Sequence, residues 1–446
     1  MFVRFALSAG LLATVAGAAL AQMQPAPQPA PRAPQAAPAP GGMLLPNTQA
    51  LFDGYVRDGK MPGVVGAFGI GDMPPLFVTS GRIAQEATAP AAGPDTLWRV
   101  YSMTKPVTGF AAMLLVEDGK LRLDQPISDF IPGFKNIRVL TDPANSLASR
   151  PAARPITVRH LVTHTAGLGY NIITKGPLLK EYERLGIVPG QVSAQVEAQA
   201  KLVRPKSLQE FASRVATLPL IADPGTKWSY SIGLDVMGAV IEKASGMSFE
   251  QFVQRRVFTP LGMQSSYWTV PRGETGRFAT NYLYAGANRI PVDPGATSVW
   301  LQPPSFPYGG AGLVMSARDY DRFLHMLANR GTLGGVRVAK AETVATMMSN
   351  LLPAGVTFGG IGGMTGGTQG SALGYGAGGS VYLADAPGGF SKGTYGWGGA
   401  AGTVAFVDPV RRLRGTLMVN YMPADRFPVR TELTAALAKD AARLHP

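Results

Sequence analysis

The spacing of apolar residues predicts a short helix and a hairpin at the start of the folded chain. Residues 47–58 carry apolar side chains at helical spacing, and residues 63–70 and 76–79 are typical of two strands joined by a turn. An apolar helix is predicted over 102–117, where an Asp-Gly pair ends it. The pattern therefore changes from strand to helix within the first quarter of the chain.

The middle of the chain is predicted to be helical, and its last third returns to strands. The later predicted helices are 158–164, 208–217, 234–244, 249–258, 317–329 and 431–444, and the later predicted strands are 381–383, 394–396, 402–407 and 413–420. Both chain ends thus supply a β-rich lobe, about 44–100 and 301–446. A helical lobe of about 101–300 is inserted between the two parts.

Residues 1–21 are predicted to be a cleavable signal peptide. A positive residue precedes an apolar run, and an Ala-Leu-Ala triplet is typical of the cleavage site. The run is short for a bilayer span, which disfavours the alternative of a membrane anchor. Residues 22–43 are rich in Pro and Ala, which predicts an extended spacer before a folded domain at 44–440. We expect a periplasmic or secreted protein with no transmembrane segment after cleavage.

The composition narrows the chemistry that the chain can perform. It has no Cys and four His, which excludes disulfides and thiolate metal sites and disfavours a histidine-rich metal centre. With 41 Lys and Arg against 28 Asp and Glu, the net charge is +13. The basic residues are scattered, so no nucleic-acid partner is expected. A loose electrostatic contact with an anionic cell envelope is the partner that the charge alone suggests.

Three motifs match functional patterns by their letters but not by their context. His160 and His164 have the spacing of zinc ligands, yet no Glu follows the first, so both are predicted to be structural. The glycines of 374–379 match a dinucleotide fingerprint, but a strand rather than a helix follows them. Residues 389–393 match the G-x-S-x-G pattern around Ser391 and are predicted to be a hairpin turn between strands.

The pair Ser102 and Lys105 is the strongest candidate for covalent chemistry. It opens the predicted helix 102–117, which places both side chains on one face a turn apart. A desolvated lysine can serve as a base, and a helix N-terminus stabilises negative charge near the serine. Serine is also a common helix cap, so the pair needs partners before it indicates a nucleophile.

Two downstream segments could supply those partners. Tyr230 lies at the end of a turn that leads into a helix, and a tyrosine held near a lysine can act as a base because the cation favours the phenolate. For Tyr230 alone, a packing role is equally compatible with the sequence. After Trp397, two glycines let a substrate approach the strand edge, where a backbone N–H can donate to an oxyanion.

Together these motifs resemble the serine β-lactamase-like superfamily, and most closely the family VIII carboxylesterases related to class C β-lactamases. The resemblance runs in the family's motif order over about 45–440 and rests on Ser102-x-x-Lys105, His164-Thr-Ala-Gly-Leu168, Pro224-Gly with Tyr230-Ser231, and Trp397-Gly-Gly399. It implies an α/β (α+β) fold like that of β-lactamases and penicillin-binding proteins. In that fold an antiparallel sheet is flanked by helices and carries an inserted helical domain.

The resemblance also implies a role for each site residue. Ser102 would be the acylated nucleophile, and Lys105 with Tyr230 would be the pair that moves its proton. The backbone N–H groups of Ser102 and Ala400 would form the oxyanion hole. No cofactor or metal is implied, and the expected partner is a small-molecule ester or acyl substrate.

Two departures from the lactamase pattern bear on the substrate. Ile232 stands where an asparagine would bind a substrate amide, and Trp397 with Gly398 and Gly399 replaces a Lys-Thr-Gly motif. The lysine of that motif would have bound the carboxylate of a β-lactam, and its loss weakens the binding of such a substrate by about 1.5–3 kcal/mol. An apolar Trp397 favours uncharged esters, with these three residues binding substrate. Asp235 also resembles the esterase branch, although it is equally suited to the first turn of a helix.

Three functions therefore stay open at the level of sequence. The first is a secreted serine carboxylesterase acting through an acyl-enzyme. The second is a β-lactamase or an enzyme of the penicillin-binding type that processes D-Ala peptides. The third, from another class, is a catalytically degenerate binding protein at the cell envelope. The segment 171–205 carries no motif, and we expect it to overhang the site.

Overall fold

A computed structural model describes residues 40–360, 372–386 and 389–444. The predicted signal peptide, most of the predicted spacer and His445 lie outside the described residues. The last residues of that spacer form a short helix that packs on the second strand, where a Cβ at Gly41 would lie 2.2 Å from the Phe77 carbonyl oxygen.

Most of the strands are short. They are β1 (Gly63–Ile70), β2 (Leu76–Gly81), β3 (Leu97–Arg99), β4 (Arg138–Leu140), β5 (Ser149–Pro151), β6 (Ser266–Tyr267), β7 (Asn281–Ala285), β8 (Asn288–Asp293), β9 (Val314–Ser316), β10 (Thr332–Leu333), β11 (Val336–Arg337), β12 (Leu373–Tyr375), β13 (Ser380–Tyr382), β14 (Tyr395–Gly398), β15 (Val404–Asp408), β16 (Leu413–Met418) and β17 (Tyr421–Met422).

The α-helices lie mainly between the two groups of strands that build the main sheet. They are α1 (Pro40–Leu44), α2 (Pro46–Arg57), α3 (Thr104–Glu117), α4 (Val158–Val162), α5 (Gly176–Arg184), α6 (Ala194–Val203), α7 (Leu208–Ala216), α8 (Gly233–Ser245), α9 (Phe249–Val253), α10 (Thr259–Leu261), α11 (Ala317–Ala328), α12 (Ala341–Met347) and α13 (Val429–Leu444), with a π-helical turn at Gln254–Phe258.

The main sheet joins both ends of the chain, as the sequence predicts. Its seven antiparallel strands lie in the order β12-β13-β14-β15-β16-β1-β2. In the central pair, Val65 of β1 lies opposite Met418 of β16. The predicted α/β (α+β) class, an antiparallel sheet flanked by helices, is confirmed.

Both faces of this sheet are covered, and the alternation of side chains decides which residue faces which layer. Val64 packs with Phe52 of α2 and Leu433 of α13, whereas Val65 belongs to the larger core on the other side, with Phe323 of α11. This period of two is what a strand buried on both faces requires. Helix α3 packs in the larger core, and its first turn contains Lys105 of the candidate site.

The region predicted as helices and loops, 101–300, also contains strands. A three-stranded sheet pairs β9 with β3 and β6, and β7 and β8 form a hairpin beside β17. Most of these strands have only two or three residues, and β7 and β8 show no regular alternation of apolar and polar side chains, so the pattern did not reveal them. The segment 171–205, which carries no motif, forms α5 and α6.

No helix in the described ranges is both long and apolar enough to cross a membrane.

Candidate active site

Ser102 lies in the tight connection between β3 and α3. It sits in a 3₁₀ turn, Tyr101–Met103, directly before the α-helix begins at Thr104. Tyr101 has a φ of 43°, a left-handed conformation that is unusual for a residue with a side chain. Only 4% of Ser102 is exposed. The predicted helix is therefore present, but its first turn is tightened around the candidate nucleophile.

Lys105 faces Ser102 from the first turn of α3. Its Nζ donates a hydrogen bond to Ser102 Oγ at 3.3 Å and another to the Gly310 carbonyl oxygen at 2.8 Å. The whole side chain is buried. The spacing of three residues thus places the lysine next to the serine, as the sequence predicts.

Tyr230 approaches the same serine from the extended segment that precedes α8. Its hydroxyl donates to Ser102 Oγ at 2.7 Å, and Lys105 Nζ lies 4.5 Å from the centre of its ring. Tyr230 is 1% exposed. The three predicted catalytic side chains therefore meet at one oxygen atom, which accepts hydrogen bonds from both a cation and a phenol.

Asp235 and Gly310 complete the surroundings of Lys105. The Gly310 N–H donates to Asp235 Oδ1 at 2.9 Å, and the Gly310 carbonyl oxygen accepts from Lys105 Nζ. The backbone of one glycine therefore links the lysine to the carboxylate. Burial raises the pKa of Asp235 to about 6, against the opposing effect of the Lys105 charge. A Cβ at Gly310 would lie 2.6 Å from Asp235 Oδ2, which explains the glycine. The glycine pair at 309–310 was the one sequence signal for this contact.

The predicted oxyanion donors are the N–H groups of Ser102 and Ala400, and the segments that contain them pack closely together. A Cβ at Gly399 would lie 2.4 Å from the Val100 carbonyl oxygen, so the turn after β14 packs directly on the residues that lead to Ser102. Among the described residues, neither the Ser102 N–H nor the Ala400 N–H donates a hydrogen bond to another residue. Both groups are thus available to a substrate.

Trp397 and Gly398 are the last residues of β14, and Trp397 belongs to a group of contacting rings that we call the ring cluster. It comprises His164, Trp228, Tyr230, Tyr375 and Trp397. The ring centre of Trp397 lies 5.9 Å from that of Tyr230 and 5.2 Å from that of Tyr375. Trp228 and Tyr375 were not singled out in the sequence, because an isolated aromatic residue is most often part of the core.

The two histidines of the zinc-like spacing have separate structural positions. His160 Nδ1 accepts from the Thr157 N–H at 3.2 Å and completes a capping box at the start of α4. His164 Nδ1 binds Ser231, with Oγ at 2.9 Å and the backbone N–H at 3.2 Å. His160 thus caps a helix, whereas His164 is held by Ser231 through Nδ1 and leaves Nε2 without a partner among the described residues. Within the described ranges, no three His, Cys, Asp or Glu side chains are grouped to hold a metal ion.

The two glycine-rich motifs form turns of the main sheet. Residues 374–379 lie in the hairpin between β12 and β13, where Tyr375 pairs with Ser380. Ser391 lies in the connection between β13 and β14, and its N–H donates to Asp408 Oδ2 at 2.9 Å. Neither motif leads into a helix, so the interpretation of both as turns is confirmed.

This fold and site agree with a family model described as "Beta-lactamase", which matches residues 48–439. The chain belongs to the beta-lactamase family. The predicted resemblance is thereby confirmed at the level of the family, and the match includes every candidate site residue.

Individual proteins are similar to this chain over more than half of its length. Protein Rv1367c of Mycobacterium tuberculosis is 36% identical over 259 residues, 58% of this chain, and the match spans only 60% of that relative's length. Esterase EstB of Burkholderia gladioli is 32% identical over 307 residues, 65% of this chain and 72% of that protein. A solved structure described as "EstCE1, a hydrolase with promiscuous acyltransferase activity" superposes with a TM-score of 0.71 at 25% identity, covering 89% of this chain and 99% of the other.

Proposed function

We propose that this protein is a secreted serine hydrolase, a carboxylesterase that cleaves small uncharged esters through an acyl-enzyme on Ser102. The observation that carries the proposal is the position of Ser102 Oγ, which lies 3.3 Å from Lys105 Nζ and 2.7 Å from the Tyr230 hydroxyl. The relative named an esterase and the similar structure described as a hydrolase support the same reaction. The leader predicted at 1–21 supports secretion.

The geometry assigns a role to each side chain. The attack requires the form of the pair with one proton fewer, a Tyr230 phenolate beside the Lys105 cation, to which Ser102 Oγ donates. Ser102 Oγ then attacks the ester carbonyl, and its proton passes to the Tyr230 oxygen. The N–H groups of Ser102 and Ala400 stabilise the oxyanion that forms. The same pair then returns the proton to the leaving alcohol. Water repeats the sequence on the acyl-enzyme, releases the acid and restores Ser102.

The surroundings of Ser102 favour a substrate without charge. Lys105 is the cation at the nucleophile, and its Nζ is already bonded to Ser102 and Gly310. The Tyr230 ring lies beside Lys105 Nζ, and the Trp397 ring packs on that of Tyr230. A carboxylate bound here would be desolvated without a cation of its own, which is costly. Small neutral esters avoid that cost.

A burst experiment tests the proposal. Mixing the enzyme with p-nitrophenyl butyrate is expected to release one equivalent of nitrophenol per active site before steady turnover. Ser102→Ala is expected to abolish both phases, and a fluorophosphonate should label Ser102 in the wild type. Ser391→Ala is the matched control, because that serine lies in the G-x-S-x-G turn and should keep full activity.

Three results would contradict the proposal. Full activity in Ser102→Ala would show that another residue attacks the ester. Faster turnover of nitrocefin than of the ester would instead support a β-lactamase or an enzyme of the penicillin-binding type. A folded protein that neither turns over esters nor is labelled would support the degenerate binding protein.

Acyl transfer is a second candidate for the fate of the acyl-enzyme. The structure of similar fold named for promiscuous acyltransferase activity favours it. An alcohol would then replace water in the second step at the same Ser102. Product analysis in the presence of 1-butanol decides between the two: butyl butyrate indicates transfer, whereas butyrate alone indicates hydrolysis.

A further inference from the structure

Four polar atoms of the ring cluster have no hydrogen-bond partner among the described residues. They are His164 Nε2, Trp228 Nε1, Tyr375 Oη and Trp397 Nε1, and all four are buried. Burying a polar atom without a partner costs stability, and folded proteins keep few such atoms. Four of them in one group of rings indicate a place that makes hydrogen bonds to something other than the fold itself.

The rings that carry these atoms touch one another. The centre of the His164 ring lies 5.9 Å from that of Trp228 and 5.4 Å from that of Tyr375. The Tyr375 ring lies 5.2 Å from that of Trp397. The four unpartnered atoms thus belong to a single group of contacting side chains and are not scattered through the core.

All four atoms can donate a hydrogen bond. The Ser231 N–H donates to His164 Nδ1, so in the neutral ring the proton is on Nε2. Burial and the Lys105 charge hold the pKa of His164 well below its usual value, which keeps the ring neutral. An indole Nε1–H is a donor only, and a phenol donates readily. The missing partner is therefore an acceptor.

Tyr230 connects this donor set to the nucleophile. Its hydroxyl donates to Ser102 Oγ at 2.7 Å, and its ring centre lies 4.7 Å from that of His164 and 5.9 Å from that of Trp397. The donors are thus one ring away from the reacting atom.

Lys105 is a cation whose charge reaches the donor set at His164, but its Nζ is already hydrogen-bonded to Ser102 Oγ and the Gly310 carbonyl oxygen. Lys105 Nζ lies over the rings of Tyr230 and Tyr170, not over those of Trp228, Tyr375 or Trp397. A carboxylate or phosphate buried among neutral donors would lack the cation that it needs. An uncharged oxygen has no such requirement and would satisfy buried N–H groups.

We propose that His164, Trp228, Tyr375 and Trp397 form a subsite that binds an uncharged acceptor oxygen of the substrate, an ether, keto or second ester oxygen a few bonds from the scissile carbonyl. Oxygen-bearing esters are then better substrates than hydrocarbon esters of the same size. The inference rests on the proposed esterase function and specifies its substrate class.

A series of matched esters tests this subsite. The parent acyl ester is p-nitrophenyl hexanoate, and in three analogues an ether oxygen replaces the third, fourth or fifth carbon of the acyl chain. Hexyl acetate and its ether analogues form a second arm that places the oxygen in the alcohol. Each kcat/KM is divided by the rate constant for hydroxide-catalysed hydrolysis of the same ester, which removes differences in intrinsic reactivity.

At least one analogue is expected to exceed its parent about tenfold, because a buried hydrogen bond of roughly 1.4 kcal/mol changes a rate ratio by that factor. The arm in which the increase occurs shows whether the oxygen belongs to the acyl group or the alcohol. Ratios near one in both arms, from an enzyme that gives the normal burst, would overturn the subsite and leave the esterase proposal intact. Absence of the burst would overturn both.

A pair of tyrosine variants identifies the donors. Tyr375→Phe removes an unpartnered hydroxyl, so the ether preference should fall towards one while Tm does not decrease. Tyr395→Phe is the control, because Tyr395 is equally buried but donates to the Ala377 carbonyl oxygen at 2.7 Å. It should lose stability and keep the preference. An unchanged preference in both Tyr375→Phe and Trp228→Phe would contradict the assignment of the donors.

Discussion

At the scale of single residues, the site depends on how Lys105 is surrounded. Its Nζ has a serine and a backbone carbonyl as hydrogen-bond partners and two tyrosine rings beside it. Asp235 is linked to Lys105 through Gly310, whose carbonyl oxygen accepts from the lysine and whose N–H donates to the carboxylate. The charge of that carboxyl group therefore bears on the lysine, since an ionised Asp235 favours a charged Lys105.

Asp235 should give the stability of the protein a pH dependence. Its pKa is raised by burial from 3.8 to about 6 in the folded state, so folding favours the protonated form. The stabilising contribution is complete below about pH 4 and is lost as pH rises through 6. A shift of this size corresponds to about 3 kcal/mol.

Urea unfolding of the wild type and of Asp235→Asn from pH 4 to pH 8 measures this contribution. The amide cannot ionise, so the wild type should lose stability relative to the variant by up to about 3 kcal/mol between pH 4 and 7. Taking the difference between the two proteins removes the effects of all other carboxylates. A difference that is constant with pH would contradict the buried, perturbed carboxyl group.

At the scale of elements, the connection from β3 to α3 is held from one side by Arg99. Its guanidinium is fully buried, and its Nε donates to Asp293 Oδ2 at 2.6 Å beside β8. A further N–H donates to Ser298 Oγ at 3.0 Å. Because Ser102 follows three residues later, this anchor fixes the end of the strand from which the strained turn at Tyr101 departs.

We expect Arg99→Lys to lower the acylation rate about tenfold with little change in KM, because a small displacement of a nucleophile is costly. The matched control is Arg414→Lys. Arg414 is equally buried and pairs with Asp321 at 2.8 Å, but it binds the turn between β1 and β2, at Gly71 and Met73.

Both variants should unfold at lower temperature, since a lysine cannot reproduce the forked contacts of a guanidinium. Rates are measured by stopped flow well below each Tm, so that unfolding does not contribute. An equal loss of acylation rate in the two variants would show that the effect of Arg99 is general stability and not positioning.

The elements that the sequence predicted have a clear local signal. Helix α3 shows a helical run of apolar residues, and β1, β15 and β16 are apolar runs bounded by turn residues; all were predicted within a few residues. The three-stranded sheet around β9 was not predicted. Its strands have two or three residues each, and their pairing depends on contacts between segments about 220 and 50 residues apart.

At the scale of the whole molecule, the two ends of the described chain are joined through one carboxylate. Asp440 of α13 accepts hydrogen bonds from the backbone N–H groups of Asn47 and Thr48, at 2.9 Å each, and from both of their side chains. It thereby satisfies the free N–H groups at the start of α2, a helix that has no capping side chain of its own.

Asp440→Ala should lower the free energy of unfolding by about 2–4 kcal/mol, since it leaves several donors of a buried cluster unpaired. Asp129→Ala, at an exposed site, is the control and should change stability by less than about 0.5 kcal/mol. Denaturant unfolding measures both, and the esterase rate per folded molecule should be unaffected. Equal stability of the two variants would show that the chain ends are held by apolar packing alone.

The sequence by itself determined the local part of the site and the outline of the fold. Ser102 and Lys105 are three residues apart where a helix begins, so their contact follows from helical spacing. The two groups of strands at the chain ends follow from short apolar runs bounded by turn residues. Both inferences need only neighbouring residues, which is why they could be made without the structure.

The tertiary structure decided everything that depends on distant segments. Tyr230 is 128 residues from Ser102, and only the packing of α8 beside α3 places its hydroxyl at 2.7 Å. The contacts of Gly310 with Lys105 and Asp235 likewise join segments that are far apart in the sequence. The same is true of the unpartnered donors of the ring cluster, and no pattern along the chain relates these segments. Such contacts arise from the packing of whole elements, and the spacing of residues along the chain does not encode them.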